Sequence, residues 1–541
     1  MPDLTERKPP PGLARQAAWL LCGLWLLAGI TGHGPWKADD ALHLGVAWSM
    51  AGSDWLVPRI AGEPWLASPP LYHWLATICG KLLGSLLPWH DAARLATALF
   101  GAGFLFALSR TALLLHGPHA AVAAPLLAVG TLGLLVPMHE AQPAIAACAG
   151  FGLGLWGLAA WRAQPLHGGS AFGAGIGVAF LAAGLGSGLV VAAAGVVLFH
   201  PEWRRQATRG AWLVIAAATA LLVLPWPLLL WKASPALFEQ WWLREIDDLT
   251  GHGAFILDHV ELLGWAAWPV LPLSFWGLWL EQRRLHRAEN LLLLAAATTA
   301  LALFLADSPR PSSLLPALVP LTLLGTVAAG RLRRGAASAF DWFGMMTFTL
   351  IAGLIWLGGI AMLTGEPARV AKNFSKPAPG FVAEASPLVI LLAIAVSVAW
   401  IAVMLRTPRS PWRAAARWSA GLATIWLLLA LLWMPWIDHG KSYRHVAAEL
   451  RQTLGVAPGC IARRNLGLPQ RAALDYHAGI RTLPHSQAAS CRWMLVQATP
   501  PTRKEIARWT LVRESFRPGD KGERLRLYRR DYPSKRKKCS R

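Results

Sequence analysis

Apolar residues in this chain run together in long blocks, and the breaks between blocks carry many of the arginines. A block of 15 to 24 residues that is apolar on every side predicts a membrane-crossing helix, because inside lipid each backbone N–H and C=O must be satisfied within its own segment. The pattern predicts thirteen such helices, at about 15–32, 94–115, 119–137, 141–161, 170–184, 187–201, 210–231, 263–280, 290–306, 313–330, 340–363, 387–405 and 418–436. The run from 170 to 200 is long enough for one tilted helix. Arg162 before it and Arg204, Arg205 and Arg209 after it put both ends on one side, which requires two short crossings turning at Gly184 to Gly188.

With that turn the charges alternate. Short loops on one side hold 18 basic residues: Arg7, Lys8, Arg15, Arg110, Arg162, the 204–209 trio, Arg283, Arg284, Arg287, Arg331, Arg333, Arg334, Arg406, Arg409, Arg413 and Arg417. The longer segments opposite (33–92, 232–262, 307–312 and 364–386) hold nine. Basic loops mark the cytoplasmic side. The expected topology therefore has a cytoplasmic N-terminus and residues 437–541 outside. Ala17 to Ile30 is followed by Trp36-Lys37-Ala38-Asp39 and no small-residue cleavage site, so it reads as the first membrane helix.

Composition agrees. Apolar residues make up 55% before the 50 glycines are counted, against about 45 to 50% with glycine included in soluble domains. A soluble enzyme on a single anchor and a disordered chain are excluded. The net charge of +22 would suggest a nucleic-acid partner, but 437–541 alone holds 23 basic and 8 acidic residues and the rest is spread over short loops. Nucleic acid is not expected; contact with anionic membrane lipids is. Many of the thirty tryptophans lie near helix ends, as in an aromatic belt.

Function is expected in the outside segments. Residues 33–92 predict a short helix from Asp40 to Ala51, a turn through Pro58-Arg59 and Gly62-Glu63-Pro64, and an interfacial helix from Pro70 to Leu87. The chain divides into a membrane domain (1–436), a small extracytoplasmic α/β domain (437–533) and a basic tail (534–541). In the α/β domain, strand-like runs (460–462, 493–497, 525–528) alternate with helical patterns (443–454, 470–478). Cys460 and Cys491 flank two of those runs, and an oxidising compartment lets them pair. No cysteine pattern fits zinc.

Asp39 and Asp40 open the first outside segment. Such a pair can bind a divalent cation or act as general base toward a hydroxyl, or it can simply cap a helix. His139-Glu140 turns to the same side, and His43 and His73 can line a cleft or serve packing.

The stretch Asp39-Asp40-Ala-Leu-His43 through Trp55-Leu-Val-Pro58-Arg59, then Gly62-Glu63-Pro64-Trp65-Leu-Ala67-Ser68-Pro69-Pro70-Leu-Tyr72-His73-Trp74, resembles the first periplasmic loop of bacterial membrane glycosyltransferases related to aminoarabinose transferase and the protein O-mannosyltransferases. Ala92-Ala93-Arg94-Leu95 through Gly101 continues it. The resemblance implies a GT-C fold: an all-α polytopic membrane protein, here with the small α/β domain added. It also implies a bacterial inner-membrane location, a polyprenyl-phosphate sugar donor, and a periplasmic lipid, glycan or protein acceptor.

By that resemblance Asp39 is the catalytic acid, with Asp40 in support. His43, Tyr72, His73, His139 and Glu140 are candidate substrate contacts. The family's Glu-Lys-Pro, where the acid can bind metal and the lysine the donor phosphate, is replaced by Ala67-Ser68-Pro69, and the hairpin lysine by Ser187. Arg59, Arg244 and Arg310 are then the candidate phosphate binders. Residues 238–252 stand where relatives carry an aromatic, acid and histidine motif; Glu245 and Asp248 could hold a divalent metal, with Asp247 and His252 beside them, or the segment is a solvated amphipathic helix. The rivals are a relative that has lost catalysis and keeps lipid binding, and a transporter. Few ionisable residues in the spans and no internal repeat weigh against transport.

Overall fold

The computed structural model describes residues 12–36, 38–52, 54–250, 256–487, 490–497 and 509–530. His252, Cys539 and the basic tail lie outside them. Among the described residues, nine helices are long and apolar enough to cross a membrane, and a tenth candidate is the pair Pro118–Val129 and Leu132–His139, bent by 73°. Shorter apolar helices are Gly12–Leu27, Leu185–Phe199 and Val270–Leu280. Each predicted span falls on one of these elements. The exception in form is 263–280, which is split into Ile256–Ala266 and Val270–Leu280.

This is a multi-pass membrane protein, and burial shows why. In Pro387–Arg406 and Arg209–Ala233 only 11% of the most apolar window is covered by protein. Such helices, apolar all round and uncovered, need lipid as their solvent. Pro311–Ala329 is 83% covered and forms the centre. Helices Pro143–Trp161 and Pro165–Ala183 touch backbone to backbone: a Cβ on Gly157 would lie 2.6 Å from the Gly168 carbonyl oxygen, and one on Gly175 2.5 Å from the Gly154 nitrogen. Small residues permit this approach where lipid offers no hydrophobic drive between helices. The turn between Pro165–Ala183 and Leu185–Ala194 is Gly184, at φ +85°.

The first long loop contains a helix Asp39–Ala51, a two-residue antiparallel ladder β1 (Arg59–Ile60) and β2 (Glu63–Pro64), and a helix Leu71–Leu83. At the same end of the bundle lies a five-stranded sheet. Its strands are β3 (Ile461–Arg464), β4 (Leu483–Pro484), β5 (Trp493–Gln497), β6 (Trp509–Arg517) and β7 (Asp520–Arg530), in the order β4-β3-β5-β7-β6. β3 runs parallel to β4 and β5; β7 is antiparallel to β5 and β6. Val446, Leu450 and Leu474 from helices Arg444–Leu454 and Leu468–Ala478 pack with Ile461, Leu495 and Leu527 of the sheet. Cys460 and Cys491 are disulfide-bonded, with Cα atoms 5.1 Å apart.

Helix Leu468–Ala478 seats this unit on the first loop. A Cβ on Gly45 would meet that of Ala472 at 2.4 Å, so the helices touch at the backbone. His90 Nδ1 lies 2.7 Å from the Tyr476 hydroxyl, and the Gly34 N–H donates to Asp438 at 2.7 Å.

Candidate functional site

Asp39 and Asp40, adjacent in sequence, sit in different surroundings. Asp40 is fully buried and faces Arg94, also fully buried, in the first turns of helix Trp89–His116. Arg94 donates from Nε and Nη2 to the two Asp40 oxygens at 2.8 and 2.9 Å. Its remaining donors reach the carbonyls of Ile30, His33 and Gly34 and the Asp91 carboxylate. Asp40 also accepts the backbone N–H groups of Ala141 and Trp36. Burial pushes its carboxyl up, but Arg94 outweighs this and holds it below the usual carboxylate range. Asp40 thus clamps three chain segments together, with both carboxylate oxygens engaged by protein groups.

Asp39, one position earlier, is half-buried and accepts from Gln142 Nε2 at 2.9 Å. Glu140 stands beside this pair. Burial, reinforced by the Asp40 and Asp39 charges, pushes Glu140 up to about 8, and Lys441 draws it partly back. Lys441 itself lies 4.9 Å from the ring centre of Trp36. Glu140 thus has Asp39 and Asp40 as acidic neighbours and Lys441 as a basic one.

One turn into the same helix, His43 Nδ1 lies 3.2 Å from His73 Nε2 on helix Leu71–Leu83. Both rings are buried, and burial lowers His43 to about 4 and His73 well below its ordinary value. They form a neutral pair, walled by Trp65 and Tyr72. The His73 Nδ1 has no hydrogen-bond partner among the described residues. Tyr72 is buried and shares a hydrogen bond with Thr97, whose hydroxyl donates to the Glu140 carbonyl. Tyr72 therefore helps fix the Glu140 backbone.

The other candidates separate. His139 places its ring nitrogens 2.5 and 2.6 Å from the carbonyls of Leu135 and Trp25, so its polar edges are occupied within the fold. Arg310 pairs with Asp307 and Arg59 donates to the Gly62 carbonyl. Arg244 makes a long 3.8 Å pair with Asp248, both more than half exposed. Arg244 also lines a cleft with Glu63, Trp65 and Arg471. Glu245 is buried, which raises its carboxyl, and it accepts the Leu185 N–H at 2.6 Å and the Trp241 indole N–H at 3.0 Å. It ties helix Pro235–Thr250 to the Gly184 turn. Ala67 offers no ligand, Glu245 has both oxygens engaged, and no group of three His, Cys, Asp or Glu suited to metal occurs among the described residues. This donor set does not fit a divalent metal at Glu245 and Asp248.

No protein-family model matches the chain, and no curated protein matches it by sequence. Solved structures do. The crystal structure of ArnT from Cupriavidus metallidurans in the apo state superimposes with a TM-score of 0.69 at 18% identity, over 95% of this chain and 97% of that one. The same protein bound to undecaprenyl phosphate gives 0.67 at 17% identity, over the same shares. The chain has the GT-C fold. Within it, Ser68 is buried and its hydroxyl has no partner among the described residues, so the lysine missing there is not replaced by a neighbouring polar contact.

Two residues at this end of the GT-C fold, Lys441 and Arg471, escaped the sequence reading, and Arg94 was quoted in it without a role. Arg94 had a signal, being an isolated charge at the start of an apolar helix. Lys441 and Arg471 had none, because they are two among 51 Lys and Arg and only tertiary packing returns them to the first loop.

Proposed function

We propose that the chain is an inner-membrane glycosyltransferase that moves a sugar from a polyprenyl-phosphate donor to an extracytoplasmic lipid, glycan or protein acceptor. The observation that carries this reading is the split between the two acids in a GT-C fold: Asp40 is locked onto Arg94, and Asp39 beside it is half-buried with a single contact from Gln142 among the described residues. In the reaction, Asp39 takes the proton of the acceptor hydroxyl as its oxygen bonds to the anomeric carbon. The bond from that carbon to the phosphate oxygen breaks, and its electron pair leaves with the polyprenyl phosphate. Charge developing on that phosphate needs cations. Lys441, beside Trp36, and Arg244, beside Trp65, are suited to supply them, in place of the lysines absent at Ser68 and Ser187.

The test is sugar transfer by the purified protein in liposomes supplied with undecaprenyl-phosphate-linked sugars and extracted envelope acceptors. Transfer supports the reading. If undecaprenyl phosphate binds but no donor and acceptor pair gives product, the non-catalytic lipid-binding reading replaces it.

A further inference from the structure

Helix Gly12–Leu27 is packed through its second half. Its buried residues, Cys22, Trp25 and Leu26, all lie there, whereas residues 12–17 are exposed. A groove of about 430 Å³ opens between its first half and helices Trp89–His116 and Pro118–Val129. Trp19, Phe106, Leu113 and Val122 give it apolar walls, and its charged residues are Arg15 and Arg110. Among the described residues no acid lines it, and neither arginine has an ion-pair or hydrogen-bond partner. The Ser109 hydroxyl, also at the groove, is already spent on the Ala121 carbonyl at 2.6 Å. The groove is remote from Asp39. Arg110 follows Arg94, the partner of Asp40, by 16 residues on one helix, which is about 24 Å along its axis.

We propose that this groove holds one anionic glycerophospholipid, with its phosphodiester between Arg15 and Arg110 and its acyl chains against Trp19, Phe106, Leu113 and Val122. In a bilayer, lipid must fill an apolar gap that the protein leaves open, and the charge at its end decides which lipid. Guanidinium groups present paired N–H donors to phosphate oxygens, and basic pockets between spanning helices suit anionic headgroups. A lone arginine at a helix end merely reaches past the lipid to water. Here two arginines from different helices share one apolar groove with no acid between them. Both belong to the short basic loops that mark the cytoplasmic side, so the lipid belongs to that leaflet. Bound there, it braces the loosely packed half of helix Gly12–Leu27 against helix Trp89–His116, whose other end carries Arg94. The inference rests on the membrane-spanning fold and not on the glycosyltransferase reading.

Native mass spectrometry of the full-length protein in detergent, titrated with dioleoyl-phosphatidylglycerol or dioleoyl-phosphatidylcholine, tests it. The first phosphatidylglycerol binds more tightly than the first phosphatidylcholine, each arginine contributing about fivefold to the preference. Arg110→Gln and Arg15→Gln each lose about that factor, and the double variant binds the two lipids alike. Val122→Trp, which fills the groove, weakens both. Unfolding midpoints without added lipid check that each variant is folded, and because Arg15 is exposed its variant decides the matter if Arg110→Gln fails to fold. Equal affinity for the two lipids in the wild type, or an undiminished preference in the folded arginine variants, overturns the proposal. A polyprenyl phosphate that binds more tightly than phosphatidylglycerol, with the same dependence on Arg15 and Arg110, overturns the choice of occupant.

Discussion

At the scale of residues, the loop end is organised by unequal acids. Asp40 and Arg94 are a buried pair whose remaining hydrogen-bonding groups are satisfied by backbone, and removing one partner strands the other charge. Asp40→Asn or Arg94→Lys is expected to destabilise the protein by about 3 to 5 kcal/mol, read as a lower midpoint of thermal unfolding in detergent. Glu140 makes a prediction of the opposite kind. Its carboxyl is raised to about 8 in the folded protein, so between its ordinary range near 4.5 and about 8 the folded state holds a proton that the unfolded state has released. Its contribution to stability therefore falls as pH rises through that window. Glu140→Gln should flatten the decline in unfolding midpoint between about pH 5 and pH 8, and a variant with the wild-type slope would show that Glu140 ionises freely. None of this pairing is legible in the sequence. The first loop announces two adjacent acids, and only the fold brings Arg94, 54 positions away, to one of them.

At the scale of elements, the junction between helix Asp39–Ala51 and helix Leu468–Ala478 sets how the extramembrane sheet sits over the loop. Gly45 leaves no room for a side chain against Ala472. Gly45→Leu is expected to pry the helices apart, raising protease cleavage between residues 440 and 480 while the membrane helices stay folded; wild-type resistance would count against a tight junction. The Cys460–Cys491 bond closes a separation of 31 residues within the same unit. Cys491→Ser should cost about 3 kcal/mol, seen as earlier unfolding that added reductant reproduces in the wild type but not in the variant. The elements themselves were largely readable. The helix expected from Asp40 to Ala51 begins at Asp39, and the strand expected at 493–497 is β5. β4 and β6 were missed: two residues are too few for a pattern, and the exposed, charged course of Trp509–Arg517 hides its alternation.

At the scale of the whole molecule, hydropathy made the membrane architecture legible because lipid constrains every spanning segment alike. The bend at Gly130 to Leu132 was not, since its cause is a tertiary bond, the Leu132 N–H donating to the Trp268 carbonyl at 3.0 Å. The site was legible in part. Asp39 and Arg244 stood out in the sequence, whereas Lys441, the other cation proposed to serve the phosphate, comes from the far end of the chain. Asp39 is the proposed base of this GT-C fold, supported by Asp40 and Arg94 and not by the absent Glu-Lys pair. The direct measurement is the rate of sugar transfer by purified Asp39→Asn, which keeps the shape and loses the charge. A fall of at least a hundredfold, with the wild-type unfolding midpoint retained, is predicted; full transfer activity in Asp39→Asn would contradict the account.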